Sequence, residues 1–295
     1  MIPVVLAVLA GAANALASVL QRRVVKAAPE ADAFRLALIV NTLRSPMWLG
    51  GIGALIAAFV LQAAALSIAG LSLVQPLLAV ELPFTMILIA WLPPRGLMGV
   101  PWAAVVLLTA GLAVLLFALS PDESYHTPST STWIIATTGT VAVVVALVAL
   151  SWFIHRPARA VLLGITTSIG FALTAAFMNT VTHEFADGIA GLLTSWQLYA
   201  MALAGLASLF LLQNALQSGS LVAVQPALTI SDPVASIILG VYLFGEDVRG
   251  GPWLALEAAG MALILLGSIG IARSPLLHEE HTADRSGAVS RARTG

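Results

Sequence analysis

The stretch VQPLLAVELPF, residues 74–84, puts a glutamate between two prolines inside an otherwise apolar run. A near-copy, VQPALTISDPV, occupies 224–234, with the same leading tripeptide, a second proline again seven residues after the first, and again one acid. The match extends upstream: LQAAALSIAGLSLVQP at 61–76 aligns with LQNALQSGSLVAVQP at 212–226 with one gap, which pairs Gln62 with Gln213 and Gln75 with Gln225. Further out, VLAG at 8–11 echoes VLLG at 161–164, and Pro101-Trp102 echoes Pro252-Trp253. The chain therefore reads as a duplicated unit.

Composition sets the solvent. Of 295 residues 59% are hydrophobic and only 9% charged, with a mean hydropathy of +0.98, where a soluble domain carries roughly 25% charge. Nine apolar segments are long enough to cross a ~30 Å hydrocarbon core as helix: 2–20, 47–66, 71–92, 100–119, 132–153, 160–180, 194–215, 219–243 and 252–272. Residues 33–44, too short and carrying Arg35 and Arg44, read as an interfacial helix. Residues 120–131 read as a polar loop, and 274–295 as a disordered charged tail. Met1 opens the first apolar run and the positive charges follow it, the reverse of a secretory signal, so 2–20 reads as a retained span. With no cysteine in the chain, disulfides and thiolate metal sites are excluded.

The positive-inside rule tests the span count. Nine spans put Arg22, Arg23, Lys26, Arg35, Arg44, Arg95, Arg156, Arg159, Arg273, Arg285, Arg291 and Arg293 on one side and Arg249 alone on the other, a split of 12 to 1. A tenth span at 33–44 would destroy that asymmetry. The expected topology is an N-terminus outside and a C-terminus in the cytoplasm of a bacterial plasma membrane.

The expected fold is an all-α polytopic membrane protein of nine transmembrane helices. It divides into a first repeat (1–119), a loop and linker span (120–158), a second repeat (159–273) and the tail. Four spans plus the linker make five crossings, so the second four-helix unit enters with opposite orientation. Inverted repeats of this kind build many secondary transporters, with the substrate site near the midplane where the halves meet.

The end of the second repeat, LFGEDVRGGPWLALEAAGMALILLGSIGIAR (243–273), resembles the drug/metabolite transporter superfamily with its EamA-type repeats. Phe244, Gly245 and Glu246 match the F-G-E of that pattern, and Gly260, Leu263, Ile264 and Gly267 its closing motif. The nine-span layout, with a short segment in place of a second helix, is similar to the NIPA-type magnesium transporters. It is also similar to uncharacterised actinobacterial membrane proteins rich in alanine, valine and leucine. The resemblance covers roughly residues 1–275 and implies a fold far more than a substrate.

Three charges lie inside the expected spans, Glu81, Asp232 and Glu257, and no Lys, Arg or His accompanies them. An ionised carboxylate at mid-bilayer costs at least ~2.5–3.5 kcal/mol, so such residues usually face a cavity and serve function. Glu81 and Asp232 fall near the midplane of the two matched spans, while Glu257 lies near the outer end of the last, where solvent or snorkelling would serve it. The register is not perfect: Glu81 is five residues past its leading proline and Asp232 six, which makes Ser231 the strict mate of Glu81. Pro83 and Pro233 cannot donate to the carbonyls of Ala79 and Thr229, so each should kink or open its helix. Pro76 and Pro226 sit nearer the span starts and read equally well as helix-start signals.

Gln62 with Gln75, and Gln213 with Gln225, flank the two matched short turns and could bond across helices to close one face or the other. Helix gluing without any transport role is an equally good reading of such residues. Asn14, Thr166, Thr167, Asn179 and Asn214 are further polar candidates, and Gly164, Gly170, Gly260 and Gly267 read as close-packing positions. Cofactor motifs, a metal site, a nucleic-acid patch and a catalytic constellation are all absent from the sequence.

An interior with acids and amides but no cation disfavours anionic solutes, which normally meet Lys or Arg. The leading expectation is a secondary transporter of a small neutral or cationic solute, linked to protons or cations. The alternatives are a NIPA-like Mg²⁺ or other divalent cation transporter, since carboxylates suit that ion, and a membrane scaffold or lipid-handling protein. The partners are then the lipid bilayer and a small solute or ion.

Overall fold

A computed structural model describes residues 1–27, 45–91, 101–119, 126–185, 188–219, 221–247, 249 and 251–273. The interfacial helix expected at 33–44, the first half (120–125) of the loop expected at 120–131, and the tail at 274–295 lie outside the described residues. The rest is helical: α1 Ile2–Ala27, α2 Pro46–Leu66, α3 Leu71–Leu78, α4 Glu81–Trp91, α5 Trp102–Leu119, α6 Thr130–Ser151, α7 Arg156–Glu184, α8 Ile189–Thr194, α9 Trp196–Ser218, α10 Leu221–Leu239 and α11 Pro252–Ala272. A single π turn, Gly240–Phe244, continues α10.

Among the described residues, nine segments are long and apolar enough to cross a membrane, with α3 and α4 together forming the third. They coincide with the nine expected spans to within a few residues, and they make this a membrane-embedded protein. The starts follow local chemistry. Pro46 and Pro252 open α2 and α11 at positions where a missing N–H costs nothing. Ser129 accepts from the Thr132 N–H at 3.2 Å and caps α6.

One span is longer than the sequence reading. Helix α7 has 29 residues and carries Arg156 and Arg159 in its first turn and His183 and Glu184 in its last. At about 1.5 Å per residue it exceeds the ~30 Å core, so both charged ends project past the apolar stretch at 160–180.

The helices pair in a regular way. Helix α1 packs on α2 and on both pieces of span three; α7 packs on α9 and on α10. The most extensive pair is α5 with α11. There a Cβ on Gly111 would lie 2.8 Å from the Gly260 carbonyl, and one on Gly267 would lie 2.6 Å from the Leu108 amide N. The two backbones are in contact, as small residues allow where van der Waals packing drives helix association. Gly260 and Gly267 therefore act as the expected close-packing positions.

The largest buried cluster gathers Leu71, Leu73, Val74 and Leu77 of α3, Trp133 of α6, Phe177 of α7, and Leu243 and Phe244 after α10. Outward, Ile134, Ile135, Val145 and Leu150 of α6 and Leu203, Leu206 and Phe210 of α9 are exposed. Large apolar side chains displayed along a helix in this way suit lipid.

Candidate functional site

Span three is broken where Pro83 acts. Lacking an N–H, Pro83 leaves the Ala79 carbonyl to Leu82, whose N–H donates to it at 3.1 Å. Ala79 and Val80 themselves donate three residues back, to Pro76 and Leu77, each at 3.1 Å. The helix stops at Leu78 and restarts at Glu81. The interruption is a tight turn of three-residue hydrogen bonds within the span, and Glu81 is the first residue after it. Helix α1 is seated against the break through Gly11, where a Cβ would lie 2.6 Å from Val80 Cγ1 and 3.3 Å from the Glu81 amide N. Two turns on, Ser18 Oγ donates to Glu81 Oε1 at 3.3 Å.

Span eight is not broken. Helix α10 runs unbroken through Pro226 and Pro233, and the irregular turn comes later, at Gly240–Phe244. Of the kink or opening expected at Pro233, the opening does not occur. Hydroxyls surround the affected turn: Thr229 Oγ1 donates to the Gln225 carbonyl at 2.9 Å, and Ser168 Oγ of α7 donates to the Leu228 carbonyl at 3.0 Å. Neither bond reaches the Thr229 carbonyl, the one that Pro233 leaves without its backbone donor. The helix-start reading of Pro76 and Pro226 is corrected too, since each is the sixth residue of its helix and buried.

Asp232 is half-buried, and its Oδ1 is buried without a hydrogen-bond partner. Gln225, Thr229, Asp232 and Ser236 fall at helical spacings of three and four, so they form one stripe along α10. Ser268 of α11 donates to Thr229 Oγ1 at 3.3 Å, while Ser236 Oγ is buried without a partner. Thr229, Ser236 and Ser268 escaped the sequence reading, although the 3–4 spacing from Asp232 was there to find the first two. Ser231, the strict mate of Glu81, is half-buried about 100° away from that stripe.

The remaining candidates scatter. Gln75 is buried with Nε2 unpartnered; Gln62 and Gln225 are half-buried, and Gln213 is exposed. No hydrogen bond among the described residues joins Gln62 to Gln75 or Gln213 to Gln225. Asn14 is half-buried, and Asn214 Nδ2 turns back to its own helix at Phe210 O, 2.8 Å away. Thr166 and Thr167 likewise bond carbonyls of α7, whereas Asn179 Oδ1 is buried and unpartnered. Glu257 is not solvated or snorkelling as expected. It is 7% exposed with Oε1 unpartnered, three residues before the Gly260 that touches α5.

One acid that the charge count had assigned to a loop is fully engaged. Glu246 is buried, and its carboxylate accepts from the Leu71 N–H at 2.6 Å and the Ser72 N–H at 2.9 Å. It thus caps α3 from the far half of the molecule. The Phe244-Gly245-Glu246 match was the sequence signal that could have singled it out.

No family model matches this chain, and no solved structure does. The chain is similar to an uncharacterised protein of Corynebacterium glutamicum, 28% identical over 278 residues that cover 91% of this chain and 95% of that protein. The similarity thus runs over nearly the full length of both chains.

Chemically, the interior offers carboxylates, hydroxyls and amides. Asp232 has an unsatisfied acceptor, and unsatisfied groups in low dielectric attract a donor or a cation strongly.

Proposed function

We propose that this protein is a secondary transporter of a small neutral or cationic solute, working by alternating access between two inverted four-helix units joined by α6. The observation that carries the reading is the asymmetric meeting of the halves. Helix α10 packs on α3, the piece of span three before the break, and makes no comparable contact with α4, the piece after it. Spans three and eight therefore meet on the α3 side of the break, the kind of contact that one access state of a rocking transporter would make. Helix pairing supports the duplication: α1 meets spans two and three as α7 meets spans seven and eight, and α5 meets α11, its own sequence mate.

On this reading Glu81, beside a broken helix, and Asp232, with an open acceptor, are the residues that meet the solute or its coupling ion. The solute is neutral or cationic because the apolar parts of the spans carry no cation. The twelve-to-one basic split puts the N-terminus outside a bacterial plasma membrane. The experiment is a thermal-shift screen of purified protein against polar metabolites, polyamines and divalent ions at two pH values, followed by proteoliposome uptake of each stabilising compound. Uptake lost in both Glu81→Gln and Asp232→Asn, with folding intact, supports the mechanism; full uptake in both sinks it.

A further inference from the structure

The contact made by Glu246 crosses between the halves. The residue belongs to the turn that ends span eight, and the two N–H groups it receives belong to the start of span three, some 175 residues away. Its site is built to hold a carboxylate. A Cβ added at Gly70 would lie 2.6 Å from the carboxyl carbon, and one at Gly240 would lie 2.5 Å from Oε2. Gly245 adopts φ +66, the left-handed conformation that lets the chain reverse directly before Glu246. The Glu246 N–H donates to the Gly240 carbonyl at 3.3 Å, which fixes the turn on itself. Behind it Phe244 is 1% exposed and meets Trp133 edge-on at 6.3 Å between centroids, and Trp133 stacks on Phe177 at 4.6 Å.

Glu246 is thus a rigid arm of one half whose tip holds the first turn of a helix in the other. The arm has no matched acid in the first repeat: the positions 150 residues earlier read Pro94-Arg95-Gly96. We infer that Glu246 is a one-sided latch, whose bonds to Leu71 and Ser72 hold this end of the molecule shut and must break for it to open. The functional consequence rests on the alternating-access reading; the geometry of the latch does not.

Charge-assisted bonds from a carboxylate to backbone N–H groups are stronger than neutral ones, and in a buried site both are felt in full. Removing the acceptor leaves the N–H groups at the head of α3 unsatisfied unless the end opens to solvent.

The chain has no cysteine, so spin labels can be placed without background. Ser67 and Leu193, both exposed, report across the latch end; Met47 and Leu216, both exposed, report across the opposite end. In purified full-length protein, Glu246→Ala should lengthen the Ser67–Leu193 distance by about 5 Å, the scale of one helical turn. Gly240→Ala, which fills the carboxylate's room while keeping the acid, should do the same. Glu246→Gln retains the shape with a weaker acceptor, and should give an intermediate, broadened distribution. Asp247→Asn, an exposed neighbour, should leave the distance unchanged.

An unchanged Ser67–Leu193 distribution in folded Glu246→Ala and Gly240→Ala overturns the latch. Where those two fail to fold, an unchanged distribution in Glu246→Gln overturns it. If the distance opens but no stabilising compound is taken up by any variant, the latch stands and the transport reading falls. If uptake depends on Glu81 and Asp232 while the distance never moves, the latch alone falls.

Discussion

Spans three and eight begin with the same tripeptide and carry prolines in the same register, yet one is snapped in the middle and the other is whole. Proline is therefore not sufficient to break a membrane helix; the neighbours decide. At the matched positions span eight has Thr229 and Ser236 where span three has Ala79 and Met86. Before Pro233 the hydroxyls of Thr229 and Ser168 bond the Gln225 and Leu228 carbonyls, whereas at the break in span three a glycine of α1 is pressed against Val80 and the nearby Ser18 hydroxyl bonds the Glu81 side chain. The acids diverge with the backbone: Glu81 takes a helix start and the Ser18 hydroxyl, Asp232 stays within a continuous helix with an open oxygen.

The largest effect that tests this contrast is on transport. Glu81→Gln and Asp232→Asn should each abolish uptake of whatever solute the screen identifies, with the melting temperature preserved, because removing an acceptor charge leaves the fold unchanged but not the binding. A next, structural effect comes from the two matched glycines. Gly11→Leu should destabilise by about 1–3 kcal/mol, read as a drop in melting temperature, since even a Cβ at that position meets Val80 and the Glu81 backbone. Gly164→Ala should cost much less, because its neighbours on span eight begin at 3.3 Å. A smaller effect follows from restoring donors. Pro83→Ala should let residue 83 bond the Ala79 carbonyl and slow hydrogen exchange across 79–83, while Pro233→Ala should leave exchange in α10 nearly as it was. Smallest of all, Thr229→Val should cost about 1 kcal/mol, read as a drop in melting temperature, since it removes the bond to the Gln225 carbonyl and the acceptor of Ser268.

How much of this could be read beforehand divides along physical lines. Hydropathy, helix length and the basic asymmetry are local or additive quantities, and they delivered nine spans. The loss of a backbone donor at Pro83 and at Pro233 was legible, since a missing N–H is a property of one residue. Which of the two helices would be interrupted was not, because that depends on what other helices pack against each turn. Glu257 and Glu246 both looked solvated by their distance from the span centres, yet both are buried, since burial depends on what packs over an end. The glutamines that flank each short turn, Gln62 with Gln75 and Gln213 with Gln225, share no bond among the described residues, since closeness in sequence to one turn does not bring two side chains within 3.5 Å.

The seam between α5 and α11 has a mechanical consequence. Backbone rests on backbone there at the glycines, flanked by buried Leu108, Leu115 and Ile264, so the two helices have little freedom to separate without losing contact along several turns at once. They retain freedom to roll. Any rearrangement of the two halves would accordingly pivot about this glycine line as a fulcrum, with small rotations at the seam magnified into larger displacements at the far ends of α3 and α10.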